Sequence, residues 1–125
     1  MFPWFSAKDA PLKPLPLSQR LKSYSAATGI VYQYIFLGLG GRRHVFEVSA
    51  DRQPAFSLSI ELRPGELACC AERMGSPLRW NEEYALSKLS LFAAMDAAET
   101  AVALRQVIYP TGDELMLYMT ALNMG

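Results

Sequence analysis

The sequence has few ionisable side chains, and their charges cancel. Only 19% of its 125 residues are charged, and 12 basic side chains balance 12 acidic ones. A protein that binds nucleic acid over its whole surface is normally strongly basic, so a net charge of zero excludes that class. Disorder of the whole chain is excluded as well, because 51% of the residues are hydrophobic, whereas disordered chains combine low hydrophobicity with high net charge. A chain of this length can bury its own core.

Histidine and cysteine are scarce too. His44 is the only histidine, which excludes a site with several histidine ligands. The only cysteines, Cys69 and Cys70, are adjacent, and neighbouring residues on a helix point about 100° apart, which disfavours a disulfide between them. Neither a C-x-x-C spacing nor a nearby histidine accompanies them. We therefore expect no metal and no cofactor.

Long hydrophobic runs and targeting signals are also missing. The longest apolar stretch, residues 30–39, is interrupted by Gln33 and is far shorter than the roughly 20 residues that span a bilayer. Residues 1–5 are apolar but lack the basic region and the long apolar region of a secretory signal. The sequence predicts a cytoplasmic protein with no membrane segment.

Proline is concentrated at the beginning of the chain. Pro3, Pro11, Pro14 and Pro16 are four of the eight prolines. Each fixes φ and removes a backbone donor, so regular structure is disfavoured there. We predict a proline-rich extended leader over residues 1–17 and a single α+β domain over residues 18–125.

The predicted domain begins with a short helix and three strands. Ser18 can cap a helix that continues to Tyr24, and Gly29 stands where a left-handed C-terminal cap would fall. Alternating apolar residues then predict an antiparallel meander. Its strands occupy residues 30–37, 43–50 and 56–62.

Two helices, a fourth strand and a last helix follow, which gives the order α-β-β-β-α-α-β-α with the helices packed on one face of the sheet. Pro64 suits the first position of a helix that stops at Gly75, and Asn81 is predicted to cap a longer, mostly apolar helix. Residues 102–109 are ambiguous between strand and helix, and the β-branched residues before Pro110 favour a strand. A capping box at residues 111–114 predicts the last helix.

Arg42, Arg43 and His44 are the candidates for contact with an anion or another ligand. They follow the glycine-rich loop of residues 38–41, which leads into a strand and not into a helix N-terminus, so a hairpin turn is favoured over a phosphate cradle. His44 shares the apolar face of its strand, which favours a place at the edge of the core. No motif supplies a nucleophile with a neighbouring base, so we assign no catalytic residue, although catalytic groups can converge in space without a motif.

The C-terminal helix is the strongest anomaly, because eight of residues 115–124 are apolar, more than one packing face requires. Large exposed apolar patches are rare on monomers, so this helix predicts contact with a second copy or another protein. The candidate interaction surface consists of Leu115, Tyr118, Met119 and Leu122. The same pattern fits a helix buried in the domain's own core, and the sequence leaves both interpretations open.

The zero net charge conceals two halves of opposite sign. Residues 1–46 hold six basic side chains against Asp9 alone, a net charge of +5, and residues 47–125 hold six basic side chains against eleven acidic ones, a net charge of −5. This asymmetry could guide the two parts together. It also leaves open a weak nucleic-acid site in the basic third, where Tyr32 and Tyr34 could stack on bases, although the basic residues are sparse.

Three functional hypotheses follow from these patterns. The leading one is a non-catalytic protein-interaction module that acts as a homodimer. The second is a small-molecule-binding protein or enzyme with a pocket between the sheet and the helices near His44. The third is weak binding of nucleic acid through the basic N-terminal third.

Overall fold

The computed structural model describes residues 20–50 and 53–125. The predicted leader, residues 1–17, and the predicted cap at Ser18 therefore lie outside the described residues. The described part contains five strands and three α-helices of a mixed, mostly antiparallel α+β fold, which confirms the predicted class.

One five-stranded sheet organises the fold, with the strands in sequence order. Its strands are β1 (Lys22–Ser25), β2 (Val31–Gly40), β3 (Arg43–Ala50), β4 (Phe56–Glu61) and β5 (Val107–Ile108). The first four pair antiparallel and β5 pairs parallel with β4. Alternation along the central strands sets the register, since Phe46 faces Phe36 on one side and Leu58 on the other.

The first element is a strand, and the predicted short helix is wrong. Lys22–Ser25 pair with β2 as an edge strand, so Tyr24 lies opposite Tyr32. Tertiary pairing outweighs the weak helical propensity of this segment. Gly29 does adopt the positive φ that was expected, 93°, but in the turn between β1 and β2.

The predicted fourth strand is much shorter than expected. Only Val107–Ile108 form a strand, and Ala101–Ala103 form a single 3-10 turn. The alternation fails because Val102 points into solvent while Leu104 is buried. Val107 and Ile108, the β-branched residues that favoured a strand, are the residues that pair with the sheet.

The helices are α1 (Pro64–Met74), α2 (Trp80–Ala97) and α3 (Gly112–Ala121). Pro64 opens α1 and Gly75, at φ 77°, closes it, as predicted. Helix α2 begins before Asn81, so the predicted cap at Asn81 is wrong. Arg79 is the N-cap residue instead, and its backbone N–H donates a hydrogen bond to Glu82 Oε1 in the first turn at 2.7 Å.

The core lies between one face of the sheet and the helices. Large fully buried side chains come from every layer, which excludes water from the whole interface. The sheet contributes Tyr32, Phe36, Phe46, Val48, Leu58 and Ile60, helix α2 contributes Leu86, Leu91 and Met95, and helix α3 contributes Leu115 and Met119.

The N-terminus of α3 is tied to α1. The predicted capping box is present, since the Glu114 N–H donates to Thr111 Oγ1 at 3.2 Å and the Thr111 N–H donates to Glu114 Oε1 at 2.9 Å. In addition, the Gly112 N–H donates to Glu66 Oε1 of α1 at 2.6 Å. The carboxylate satisfies an end amide of α3 and complements the helix dipole, which fixes the two helices against each other.

Candidate functional site

Arg42, Arg43 and His44 do not form one site. Successive residues of a strand point to opposite faces of the sheet, so Arg43 and His44 diverge. Arg43 Nε donates to Glu61 Oε1 of the neighbouring strand at 2.8 Å, which occupies its guanidinium in an exposed ion pair. Arg42 lies exposed in the turn between β2 and β3. The three residues therefore offer no shared anion site.

His44 is a buried side chain, only 3% exposed. It lies opposite Leu39 on one neighbouring strand and Ile60 on the other, and its ring centroid is 5.9 Å from that of Phe36. Burial lowers the pKa of His44 to about 4. Its Nδ1 has no hydrogen-bond partner among the described residues. The imidazole is neutral near pH 7 and shielded from solvent, so it belongs to the core.

The C-terminal helix divides its predicted surface between core and solvent. Leu115 and Met119 have no exposed surface and pack in the domain's own core. They therefore belong to the core and not to the predicted interaction surface. Tyr118 is half-buried, and Leu122 is 37% exposed at the end of the helix. Leu117, which the pattern did not select, is 69% exposed.

The tyrosines of β2 are not available for base stacking. Tyr32 is fully buried and Tyr34 is 4% exposed. Both lie on the inner face of the sheet because they alternate with exposed residues. The nucleic-acid hypothesis therefore cannot use these two tyrosines for stacking on bases.

The 3-10 turn after α2 carries the most exposed large apolar side chain of the described chain. Val102 is 93% exposed, and Leu104, two residues further on, is buried. Two shallow grooves adjoin this turn and meet at Leu104. We call the turn and both grooves the Val102 surface, which comprises Ala50, Gln53, Pro54, Phe56, Ala94, Ala97, Ala98, Glu99, Ala101, Val102, Ala103, Leu104, Arg105, Gln106 and Ile108.

The larger groove of the Val102 surface, about 490 Å³, is lined mostly by small apolar side chains, together with two side chains of opposite charge. Its lining includes Ala94 and Ala97 of α2 and Ile108 of β5. Glu99 and Arg105 are the two charged residues of this groove, and both are exposed. Alanine side chains leave room for an apolar side chain to enter, and the rim supplies both signs of charge.

A second cluster that the sequence did not reveal lies between β1 and α2. The Tyr24 ring stacks on Phe92, with centroids 4.2 Å apart and planes 3° from parallel. Tyr24 Oη donates to Asp96 Oδ2 at 2.8 Å, and the Ala27 N–H donates to Asp96 Oδ1 at 2.8 Å. These contacts fasten the edge strand to the helix.

Lys88 of α2 lies in the same cluster, above aromatic rings. Its Nζ is 5.8 to 6.0 Å from the centroids of Tyr34, Tyr84 and Phe92. Burial, and then the Lys22 ammonium of β1, lower the pKa of Lys88. Two cations from different elements are thus brought together, which no spacing in the sequence indicates.

The described ranges contain neither a metal-binding cluster nor a membrane-spanning helix. Across residues 20–50 and 53–125, no three His, Cys, Asp or Glu side chains gather closely enough to hold a metal ion. None of the helices there is long and apolar enough to cross a membrane.

The comparisons with known proteins give no relative. No protein-family model, no curated protein and no solved structure matches the chain. Any functional conclusion therefore depends on the surfaces described above.

Proposed function

We propose that this chain is a non-catalytic, cytoplasmic protein-interaction module that acts as a homodimer through the Val102 surface. The observation that carries the proposal is the 93% exposure of Val102 directly beside apolar grooves. A valine that is 93% exposed buries little of its own surface in the monomer. It gains free energy when a partner removes it from water.

A second copy of the chain is the partner that fits this surface. A twofold interface places the same patch on both subunits, so a projecting group must meet a recess of the same patch. Val102 supplies the projection and the groove over Ala94 and Ala97 supplies the recess. Glu99 and Arg105 can then pair across the axis, each with the opposite charge of the other copy.

Helix α3 is the weaker candidate for the interface. Leu117 is exposed, but Asp113, Glu114 and Thr120 are exposed on the same helix. Scattered exposed apolar side chains are ordinary on a monomer, so Leu117 by itself does not require a partner, whereas Val102 stands beside two grooves.

The non-catalytic part of the proposal is supported by the contacts and burial of Arg43 and His44. Arg43 is occupied by Glu61, and His44 is buried away from solvent. The cytoplasmic part is supported by Cys69 and Cys70, which are both free thiols, as is usual in a reducing compartment.

The test of the interface is the oligomeric state of the wild type and of Val102→Asp. We expect a dimer at low micromolar concentration for the wild type and a folded monomer for Val102→Asp, because a buried unpaired carboxylate opposes association. Leu117→Asp is the matched control, since it places the same charge on another exposed apolar position, and it should remain dimeric. A monomeric wild type, or a dimeric Val102→Asp, would contradict the proposal.

Charge reversal tests the twofold geometry separately. Glu99→Lys alone and Arg105→Glu alone should each weaken the dimer, because like charges then meet across the axis. The double variant restores opposite charges and should recover most of the affinity. Failure of the double variant to recover would show that the two residues do not pair between copies.

A further inference from the structure

We propose that the cleft between β1 and α2 binds a phosphate monoester through the side-chain ammonium groups of Lys22 and Lys88. The site is independent of the proposed dimer interface, because it shares no residue with the Val102 surface. It is built from two separate elements, since Lys22 lies on the edge strand and Lys88 lies in the middle of the long helix.

Aromatic rings fix the position of the Lys88 side chain. Its ammonium is held over three ring faces at 5.8 to 6.0 Å, within the range of a cation–π contact. Contact with three rings at once restricts the direction of the side chain. The charge is therefore placed beside the sheet and does not sweep freely through solvent.

Lys22 lies near Lys88. It lies opposite Tyr34 in the β1–β2 register, so its side chain shares the face over which Lys88 is held. Burial, and after it repulsion from the Lys22 ammonium, lowers the pKa of Lys88, which is the effect expected of a nearby like charge. Two neighbouring ammonium groups repel each other, and an anion bound between them would turn that repulsion into attraction.

The described residues supply no counter-ion to the two lysines. Asp96, the carboxylate that joins α2 to the β1 region, accepts hydrogen bonds at both oxygens, from Tyr24 Oη and from the Ala27 N–H. The other titratable groups that face Lys88 are the phenols of Tyr34 and Tyr84. No carboxylate among residues 20–50 and 53–125 forms an ion pair with either lysine.

The charge and shape of the two ammonium groups favour one chemical class of anion. Two ammonium groups carry a charge of +2, and a phosphate monoester carries about −1.5 to −2 near neutral pH, whereas a carboxylate carries only −1. Lysine binds phosphate as a point charge and lacks the planar fork by which arginine favours carboxylates. The rings of Tyr34, Tyr84 and Phe92 give the cleft an apolar wall for the organic part of the ester.

The experiment is a titration of the full-length protein with phenyl phosphate at constant ionic strength, followed by NMR of the backbone amides and of the lysine side chains. We expect saturable binding, shifts confined to the β1–α2 cleft, and a rise in the pKa of Lys88 on binding. Inorganic phosphate should compete, and acetate should not. Vesicles containing phosphatidic acid form a second arm, and binding to them that exceeds binding to phenyl phosphate and requires Lys88 would assign the phosphate to a lipid.

Three variants distinguish binding at the Lys22–Lys88 cleft from nonspecific attraction of the anion to any exposed basic side chain. Lys88→Met and Lys22→Met should each weaken binding by tenfold or more. Arg42→Met removes the same charge from the exposed turn at the other end of β2 and should change the affinity by less than twofold. If Lys88→Met does not fold, Lys22→Met and the Lys88 pKa of the wild type still decide the question. Absence of saturable binding, or an equal loss in Arg42→Met, would overturn the proposal.

Discussion

Acid should destabilise this protein through His44 before most carboxylates protonate. The folded imidazole is 3% exposed, and its pKa is lowered from 6.5 to about 4 by burial. The unfolded chain therefore takes up a proton at a higher pH than the folded chain does. The contribution of neutral His44 to the free energy of unfolding is therefore fully present well above pH 6.5, and it is lost as the pH drops from 6.5 towards 4.

The size of this effect follows from the shift. Each unit of pKa difference corresponds to about 1.4 kcal/mol, so the full loss is about 3 kcal/mol, and about 2 kcal/mol of it is lost by pH 5. That is a large part of the 5–15 kcal/mol by which domains are typically stable. The aromatic and aliphatic neighbours of His44 offer the imidazolium no compensating partner.

The assay is urea unfolding at pH 7 and at pH 5, with His44→Leu as the comparison. Leucine fills a similar volume and removes the unpartnered Nδ1, so at pH 7 the variant should be as stable as the wild type or more stable. Between the two pH values, the wild type should lose about 2 kcal/mol more than the variant does. An equal loss in both proteins would refute the reasoning, because the carboxylates alone would then explain the acid sensitivity.

Other contacts give predictions of the same kind. Tyr24→Phe retains the ring stack but removes the hydrogen bond to Asp96, and should lower the free energy of unfolding by about 1–2 kcal/mol in urea titrations. Glu66→Ala removes the carboxylate at the start of α3 and should lower it by about 1 kcal/mol, whereas Glu72→Ala, on the same helix, should leave it nearly unchanged. Burial raises the pKa of Cys70 to about 11, so alkylation of this thiol by iodoacetamide, followed by mass spectrometry, should require unfolding.

Elements with strong local signals could be predicted from the sequence. The capping box at Thr111 and Glu114 defined the start of α3, and the alternation through Phe46 and Leu58 defined the central strands. β1 could not be predicted in this way. Its identity depends on pairing with β2 and on the bond from Tyr24 to Asp96, which lies 72 residues further along the chain.

The candidate sites were harder to predict than the fold because exposure is a tertiary property. Leu115, Leu117 and Met119 are alike in sequence, yet only Leu117 is exposed, since the direction of α3 against its neighbours decides which side is covered. Val102 lay in a segment predicted as a strand. The proximity of Lys22 and Lys88 arises from the docking of β1 on α2, to which no local pattern corresponds.

The central claim is that the chain is a homodimer joined through the Val102 surface. Sedimentation equilibrium of the wild type and of Val102→Asp across the low micromolar range tests it most directly. We predict the mass of two chains, 13.9 kDa each, for the wild type and of one folded chain for the variant. One chain for the wild type, or two chains for both proteins, would contradict it.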